Sequence, residues 1–278
     1  MTEHLSIDDN TLAYDVSGDG PLVILAHGIG DSRHSYRFLA PALAAAGYRV
    51  ANVDLRGCGD SGLGWNGYSR TDIAGDLVAL VDHLGGPAVI LGQSISGGAA
   101  TIAAATAPDL VAGLIELAPF TRKQSIPVGG LLRVKRYRTG SMLLMRTAVS
   151  GSLPSWRKYL ELSVPTKPAD WDAELARIEG KLREPGRMKA LQAMCRSSPK
   201  DAGAQLAHVG CPVLVIEGSL DPDWADPRGE GEKIVADLPS GLAELVVIEG
   251  AGHYPHVQNP DEVLALSLPF LSRTLPRA

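Results

Sequence analysis

A strand pattern that runs directly into a serine constrains this chain more than any other feature of its sequence. Residues 88–91 read Ala-Val-Ile-Leu, and residues 92–98 read Gly-Gln-Ser-Ile-Ser-Gly-Gly, with mostly small residues following up to Ala105. The aliphatic run predicts a buried strand, and the small residues predict a helix packed closely against it. Ser94 falls on the sharp turn between the two, where a strained backbone exposes the hydroxyl above the helix N-terminus. We therefore interpret Ser94 as a nucleophile.

Two later segments supply a base and an acid for this serine. Residues 212–218 and 245–249 are strand-like apolar runs, the first followed by Ser-Leu-Asp and the second by Gly-Ala-Gly-His. Loops that follow parallel strands share one edge of a sheet, so Asp221 and His253 can meet Ser94 there. A serine hydroxyl needs a base to take its proton and a third group to orient that base. We predict a triad of Ser94, His253 as general base and Asp221 as acid.

Other titratable residues near these segments offer alternatives. His256 lies three residues beyond His253, but the Gly-x-Gly-His-x-Pro context is centred on His253. We interpret His27 as a loop-bracing residue, and Asp223 and Asp226 as solvated loop carboxylates. Glu116 lies inside a predicted strand, so we interpret it as structural.

Two further motifs complete a recognisable set. Residues 22–30 read Leu-Val-Ile-Leu-Ala-His-Gly-Ile-Gly, and residues 53–61 read Val-Asp-Leu-Arg-Gly-Cys-Gly-Asp-Ser. With the serine, aspartate and histidine segments in this order, the chain resembles the α/β-hydrolase fold superfamily, in particular its capped serine esterases and lactonases. The resemblance covers nearly the whole chain and is loosest in the middle third.

This resemblance carries specific expectations for the site. It implies that the backbone amides of Ile29 and Ile95 form an oxyanion hole, because acyl transfer places negative charge on the carbonyl oxygen. It also implies that Asp54 and Arg56 organise loops beneath the site. The usual motif has glycine two residues after the nucleophile, and this chain has Ser96, which is small enough to fit.

Strands and helices alternate over the first part of the chain, which predicts an α/β fold with a doubly wound, mostly parallel sheet. The N-terminal pattern over 5–16 predicts an antiparallel hairpin at the sheet edge. Further predicted elements are a helix over 35–47, a strand over 48–54, a helix over 71–84 with Thr71 as N-cap, a strand over 87–91 and a last helix over 261–274.

The alternation stops after Pro119. No convincing strand falls between residues 120 and 208, and four stretches have helical patterns. The predicted helices are Gly130–Val149, Ser155–Val164, Ala169–Arg183 and Pro185–Cys195. Because the family inserts its cap at this point, we expect a core domain of 1–119 and 209–278 and a helical cap, or lid, of 120–208.

Two groups of residues in the predicted cap bear on substrate binding. The basic group either forms a solvated helix face or meets an acidic substrate group or lipid headgroup. The large apolar group either forms the roof of a hydrophobic pocket or packs the cap against itself. The basic group is Arg122, Lys123, Arg133, Lys135, Arg136 and Arg138, and the apolar group is Met142, Leu143, Leu144, Met145 and Trp156.

Composition excludes several classes of function. The 278-residue chain has a formal net charge of −5, which argues against a general nucleic-acid binder. Its N-terminus lacks a signal-peptide pattern, and no apolar run approaches the roughly 18 residues of a membrane span. The cysteines, Cys58, Cys195 and Cys211, lack the spacing of a disulfide framework or a metal site. We expect a cytoplasmic enzyme that uses no metal and no cofactor.

These observations favour hydrolysis of a small to medium carboxylic ester or lactone through an acyl-enzyme. The same triad also suits a carbon–carbon bond hydrolase, a thioesterase or a perhydrolase. Epoxide hydrolases and haloalkane dehalogenases of this fold use an aspartate nucleophile, whereas this turn carries serine. The alternative from another class is a signalling receptor that binds a small ligand and turns it over weakly. The expected partner is a small-molecule substrate, and cap helices commonly offer a surface for a homodimer.

Overall fold

The computed structural model describes residues 1–123 and 128–275. Its strands form one sheet of eight within the described residues, in the order β1-β2-β4-β3-β5-β6-β7-β8. The strands are β1 Glu3–Ile7, β2 Asn10–Ser17, β3 Leu22–Ala26, β4 Arg49–Val53, β5 Ala88–Gln93, β6 Val111–Leu117, β7 Val213–Gly218 and β8 Ala243–Ile248. β2 pairs antiparallel with β1 and β4, and all other pairs are parallel. The predicted mostly parallel sheet with an antiparallel edge hairpin is confirmed.

Helices cover both faces of the sheet. Every residue of β3, β5 and β7 is buried, which explains why these strands are continuous apolar runs. One face packs against α1 Leu39–Ala45 and α12 Pro260–Thr274. The other face packs against α2 Arg70–His83, α3 Ile95–Thr106 and α10 Pro227–Asp237. The carboxyl ends of β5, β7 and β8 therefore lie at one edge between two apolar layers.

Two boundaries differ from the sequence prediction. α2 is capped by Ser69, whose side chain accepts from the Asp72 amide while Asp72 accepts from the Ser69 amide. Thr71 is therefore not the N-cap, and its hydroxyl instead donates to Asp201 at 3.0 Å. The helix predicted over 35–47 is divided into a 3₁₀ turn, Arg33–Tyr36, and α1.

The described residues between β6 and β7 contain helices and no strand, and we call this segment the helical insertion. The helices are α4 Val128–Arg133, α5 Lys135–Ser150, α6 Leu153–Ser163, α7 Trp171–Leu182, α8 Arg187–Arg196 and α9 Lys200–Gly203, followed by a 3₁₀ turn, Leu206–His208. The helix predicted over 130–149 is interrupted because Val134 adopts an extended backbone, with φ −102° and ψ 95°.

An apolar cluster fixes the helical insertion to the sheet. Trp156 and Tyr159 of α6 are completely or almost completely buried, and they pack in one cluster with Tyr254 and Val257. Val257 belongs to α11, Pro255–Gln258, which follows the predicted histidine loop. The insertion thus lies over the edge of the sheet where the predicted site residues are. Across the described residues, every helix is too short or too polar to cross a bilayer.

Candidate active site

Ser94 lies on the turn between β5 and α3 with a backbone that a serine rarely adopts. Its φ is 55° and its ψ is −115°, so the residue is strained, as the sequence predicted. The turn also depends on Gly92, because a Cβ there would lie 2.5 Å from the Ser96 carbonyl oxygen. The strand and helix can approach this closely only with glycine at that position.

Side chains on either side of Ser94 tie the turn to two neighbouring loops. The Ser96 hydroxyl donates to the His27 carbonyl at 2.6 Å, and Gln93 Nε2 donates to the His253 carbonyl at 3.0 Å. Both side chains are completely buried. Serine in place of the usual glycine therefore adds a bond between the turn and the loop after β3.

His253 and Asp221 form a buried hydrogen-bonded pair at this edge. Their Nδ1 and Oδ2 atoms are 2.7 Å apart, and Asp221 Oδ1 also accepts from the Asp223 amide at 2.8 Å. Burial lowers the pKa of His253, but the charges of Asp221 and Asp223 outweigh it and raise the pKa to about 9. Ser94 Oγ makes no hydrogen bond within residues 1–123 and 128–275, to His253 or to any other group. Such bonds often tighten only when substrate binds.

The helical insertion contacts both loops of this pair. Arg136 of α5 donates to the Asp221 carbonyl at 3.2 Å. The His253 amide donates to the carbonyl of Ser163, at the end of α6, at 2.8 Å. Gly252 makes this second contact possible, since a Cβ there would lie 2.1 Å from the same carbonyl oxygen.

Asp223 was interpreted from the sequence as a solvated loop carboxylate, and this is wrong. It is buried, its Oδ1 accepts from the Tyr159 hydroxyl at 2.8 Å, and its Oδ2 lies 3.6 Å from His253 Nε2. Burial raises the pKa of Asp223 to about 6, against the opposing effect of His253. The sequence did hold a signal, because Pro222 and Trp224 flank Asp223 and a solvated loop rarely carries tryptophan. Asp226 is exposed and caps α10, as a loop carboxylate can.

The predicted oxyanion donors lie around the same space as Ser94. Ile29, Ser94 and Ile95 line one cavity of about 180 Å³. The amides of Ile29 and Ile95 donate no hydrogen bond to any residue that the structure describes. Ile95 is also the first residue of α3, where the helix dipole favours negative charge.

The walls of this cavity are mainly apolar and open into a wider groove. Leu144 and Met145 of α5 line both the cavity and a groove of about 690 Å³, and Met142 lines only the groove. Leu143 and Trp156 pack in the apolar cluster of the insertion and line neither space, whereas Leu144 also packs against that cluster. The residues proposed as a pocket roof thus divide between the two roles that the sequence allowed. Arg70 and Asp223 add two charged side chains to the cavity wall.

The other histidines have contacts that differ from those of a base. Nε2 of His256 is 2.8 Å from the Ser35 hydroxyl, and burial lowers the pKa of His256 to about 3. Nε2 of His27 accepts from the Leu55 amide at 3.0 Å, which fits the loop-bracing interpretation. Glu116 is buried and accepts from the Thr101 hydroxyl, in keeping with a structural role.

Asp54 and Arg56, which were predicted to organise loops, form several polar contacts with neighbouring segments. Asp54 accepts from the Arg33 side chain and from the Asp60 amide. Arg56 forms a two-pronged ion pair with Asp76, both contacts at 2.7 Å. None of these side chains lines the cavity that contains Ser94.

Three basic residues of the predicted cap group bond to the protein itself. Arg122 pairs with Asp237 at 2.5 Å and with Glu230 at 3.2 Å. Arg136 bonds backbone carbonyls in the acid loop, and Arg138 bonds carbonyls at the end of α4. These three side chains therefore bond to other parts of the protein, which neither the solvated-face interpretation nor the substrate-binding interpretation predicted.

One group among the described residues has donor atoms close enough for a cation. Ligand atoms of Asp221, Asp223 and His253 lie within 4.8 Å of one another. Nδ1 of His253 already bonds to Asp221, so the group has the geometry of an imidazole oriented by a carboxylate.

Comparison with known proteins identifies the family of this chain. The profile of the Alpha/beta hydrolase family matches residues 23–266, which is most of the chain. The chain belongs to this family. A pimeloyl-[acyl-carrier protein] methyl ester esterase of Neisseria meningitidis is 31% identical over 90% of this chain and 93% of its own.

Two further proteins match nearly the whole length of this hydrolase. A 2-(acetamidomethylene)succinate hydrolase of Mesorhizobium japonicum is 26% identical and covers 98% of this chain and 95% of its own. The crystal structure of a bromoperoxidase from Bacillus anthracis superimposes with a TM-score of 0.81 at 21% identity, over 98% of this chain and 100% of its own. This last likeness shows the fold alone.

Proposed function

We propose that this alpha/beta hydrolase is a serine hydrolase that cleaves a small to medium carboxylic ester or lactone through an acyl-enzyme. The observation that carries the proposal is the buried Asp221–His253 hydrogen bond beside the strained Ser94 turn. In this proposal residues 120–208 act as a cap over the site.

The first half of the reaction forms the acyl-enzyme. Ser94 Oγ attacks the ester carbonyl while His253 Nε2 takes the hydroxyl proton. The amides of Ile29 and Ile95 hold the negative oxygen of the tetrahedral intermediate. Asp221 keeps the imidazole oriented and stabilises its positive charge. The intermediate collapses when His253 gives the proton to the leaving alcohol oxygen.

The second half releases the acid. A water molecule gives a proton to His253 and attacks the acyl carbon bonded to Ser94. The oxyanion is held by the same two amides, and His253 returns the proton to the Ser94 oxygen as the acid departs. Every bond broken and formed is accounted for by these groups and by water, so the cycle needs no redox step.

The cavity supports a substrate of limited size. Its volume of about 180 Å³ is below the usual range for drug-sized ligands, and the adjoining groove of about 690 Å³ can take a longer portion. By its name, the Neisseria meningitidis relative acts on a methyl ester, a small leaving group. A small group in the cavity and a longer chain in the groove fit both spaces.

Initial-rate hydrolysis of p-nitrophenyl esters, from acetate to decanoate, tests the proposal. We expect turnover by the natural chain and its loss in Ser94→Ala, with Ser267→Ala as a matched control. Ser267 is a buried serine whose hydroxyl donates to the Val263 carbonyl in its own helix. Labelling by a fluorophosphonate, located by mass spectrometry, should fall on Ser94. Equal turnover in Ser94→Ala, or labelling elsewhere, contradicts the proposal.

A further inference from the structure

Arg70 is a buried guanidinium whose side chain donates hydrogen bonds to neutral groups. It is the first residue of α2 and only 4% exposed. Its Nε donates to the Phe120 carbonyl at 2.8 Å and its Nη1 to the Ser197 hydroxyl at 3.1 Å, and both acceptors are neutral. Over residues 1–123 and 128–275, its nitrogens have no carboxylate oxygen within 4.0 Å. Arg56, which is also buried, has its two-pronged pair with Asp76.

A buried cation without a counter-ion is costly for a folded protein. Removing a charge from water is unfavourable unless an opposite charge or strong hydrogen bonds replace the lost hydration. Burial lowers the pKa of Arg70 to about 10 against the opposing effect of the Asp201 charge, which lies beyond ion-pair distance, so the side chain still carries its positive charge at neutral pH. The fold therefore keeps a full positive charge in a place where the protein itself provides only part of its compensation.

The position of Arg70 indicates which kind of ligand could balance its positive charge. Arg70 lines the same cavity as Ser94 and Ile95. Its chain crosses the first turn of α3, where a Cβ on Gly98 would lie 2.8 Å from Arg70 Cδ. Nη2 makes no hydrogen bond to a residue that the structure describes, so it keeps a donor for a ligand. A planar guanidinium matches the two oxygens of a carboxylate better than any other cation of a protein.

The remaining cavity wall favours one orientation for such a ligand. Asp223 also lines the cavity, next to His253, and would repel a carboxylate. The residues that line the rest of the wall are mainly apolar. A carboxylate would thus lie toward Arg70 and away from His253, leaving the reacting carbonyl near Ser94.

We propose that Arg70 binds a carboxylate of the substrate, so that the hydrolase acts on esters that carry a second, free carboxyl group, such as half-esters of dicarboxylic acids. The ester part of this statement rests on the proposed function, whereas the binding of an organic carboxylate does not. The apolar wall between the two charged residues takes the carbon chain that joins the two ends.

Binding can be measured without turnover in Ser94→Ala. Calorimetry would compare monomethyl esters of succinate, glutarate and adipate, which are anionic, with the corresponding neutral dimethyl esters. We expect the best monomethyl ester to bind about 10- to 100-fold more tightly than its dimethyl partner, and Arg70→Met to remove this preference. Equal binding of both classes, or a preference that survives Arg70→Met, overturns the inference.

Three comparisons distinguish the effect of the Arg70 charge from a loss of folding and from a general effect of positive charge on ligand binding. Arg70→Lys keeps the charge and should keep part of the preference. Arg138→Met removes an exposed positive charge that lines only the outer groove, and should leave the preference unchanged. If Arg70→Met does not fold, the natural chain still decides, through kcat/KM for mono-p-nitrophenyl glutarate against neutral p-nitrophenyl 5-methylhexanoate. A ratio at or below one overturns the inference.

The two proposals fail in different ways. Absence of hydrolysis for every ester, with Arg70-dependent binding of the monomethyl esters intact, contradicts the proposed function and supports the carboxylate site. Hydrolysis of neutral esters that depends on Ser94, with no Arg70-dependent preference for charged ones, contradicts the carboxylate site and supports the proposed function.

Discussion

Asp223 Oδ2 lies 3.6 Å from Nε2 of His253, the ring nitrogen opposite the one that Asp221 contacts. The imidazole therefore stands between two buried carboxylates, one on each nitrogen. In the proposed mechanism Asp221 orients the ring, whereas Asp223 acts on the nitrogen that receives the Ser94 proton. This second carboxylate helps to raise the pKa of His253, so the protonation state of His253 can be tested by changing Asp223.

The pH dependence of catalysis should report this arrangement. Only the neutral imidazole can act as base, and the pKa of His253 is raised to about 9, so kcat/KM should rise with pH up to that region. Asp223→Asn removes one of the charges that raise this pKa, so the rise should move to lower pH. Rates for a neutral ester between about pH 5 and pH 10 would measure the shift. Asp226→Asn, which removes an exposed charge, should leave the profile unchanged, and an unmoved profile in Asp223→Asn contradicts the prediction.

The two carboxylates should differ in their effect on turnover. Asp221→Asn loses the acceptor for Nδ1 of His253, so the ring is held in the wrong tautomer, and kcat should fall by about 10⁴-fold. Asp223→Asn leaves that bond in place and should keep most of the turnover at alkaline pH. Steady-state kinetics at pH 9 would compare the two variants. Comparable losses in both would argue against the separate roles.

The hydroxyl of Tyr159 should matter for stability and for pH dependence together. Tyr159→Phe keeps the ring in the apolar cluster and removes the hydrogen bond to the Asp223 carboxylate. We expect the free energy of unfolding to fall by about 1.5–3 kcal/mol, the usual range for a hydrogen bond to a charged group. Without this donor Asp223 is more easily protonated, so its effect on His253 weakens and the rise of kcat/KM should begin at lower pH. Urea denaturation and pH–rate profiles would test both effects, and a variant as stable as the natural chain contradicts the first.

Two glycines give a matched test of the serine turn. Gly92→Ala places a Cβ 2.5 Å from the Ser96 carbonyl oxygen, so the strand and helix must separate, and activity should be lost along with several kcal/mol of stability. Gly75 is exposed within α2, and a Cβ there meets nothing within 4 Å. Gly75→Ala should therefore stabilise the protein by about 0.5–1 kcal/mol and leave activity unchanged. Thermal melting of both variants measures the contrast, and a Gly92→Ala protein as stable and active as the parent would contradict it.

The features that the sequence predicted well are those that depend on short, contiguous residue patterns. The apolar run before Ser94 and the runs before Asp221 and His253 each define a buried strand, and parallel strands bring their following loops to one edge. The residues that flank Asp223 indicate that it is buried, but they could not show its partner, because Tyr159 lies 64 residues away in the chain. The burial of Arg70 likewise depends on Phe120 and on a serine beyond α8, contacts that no local pattern contains.

Errors at helix ends have a similar physical origin. Ser69 and Thr71 are both good N-caps, and the choice between them is made by the reciprocal bonds of Ser69 with Asp72. Val134 interrupts a pattern that is helical on both sides. The helical periodicity continues across this one extended residue, so the sequence does not show that the helix is interrupted there. Local propensity supplies the helices, and tertiary contacts decide where each begins and ends.

The bonds from α5 and α6 to the catalytic loops limit how this enzyme can be re-engineered. Arg136 holds the carbonyl of Asp221, and the Ser163 carbonyl holds the amide of His253. Exchanging the helical insertion for that of another hydrolase would therefore change more than the shape of the binding space. The graft would also withdraw two supports of the proposed acid and base, so a swapped enzyme would have to regain its rate before any new selectivity became visible.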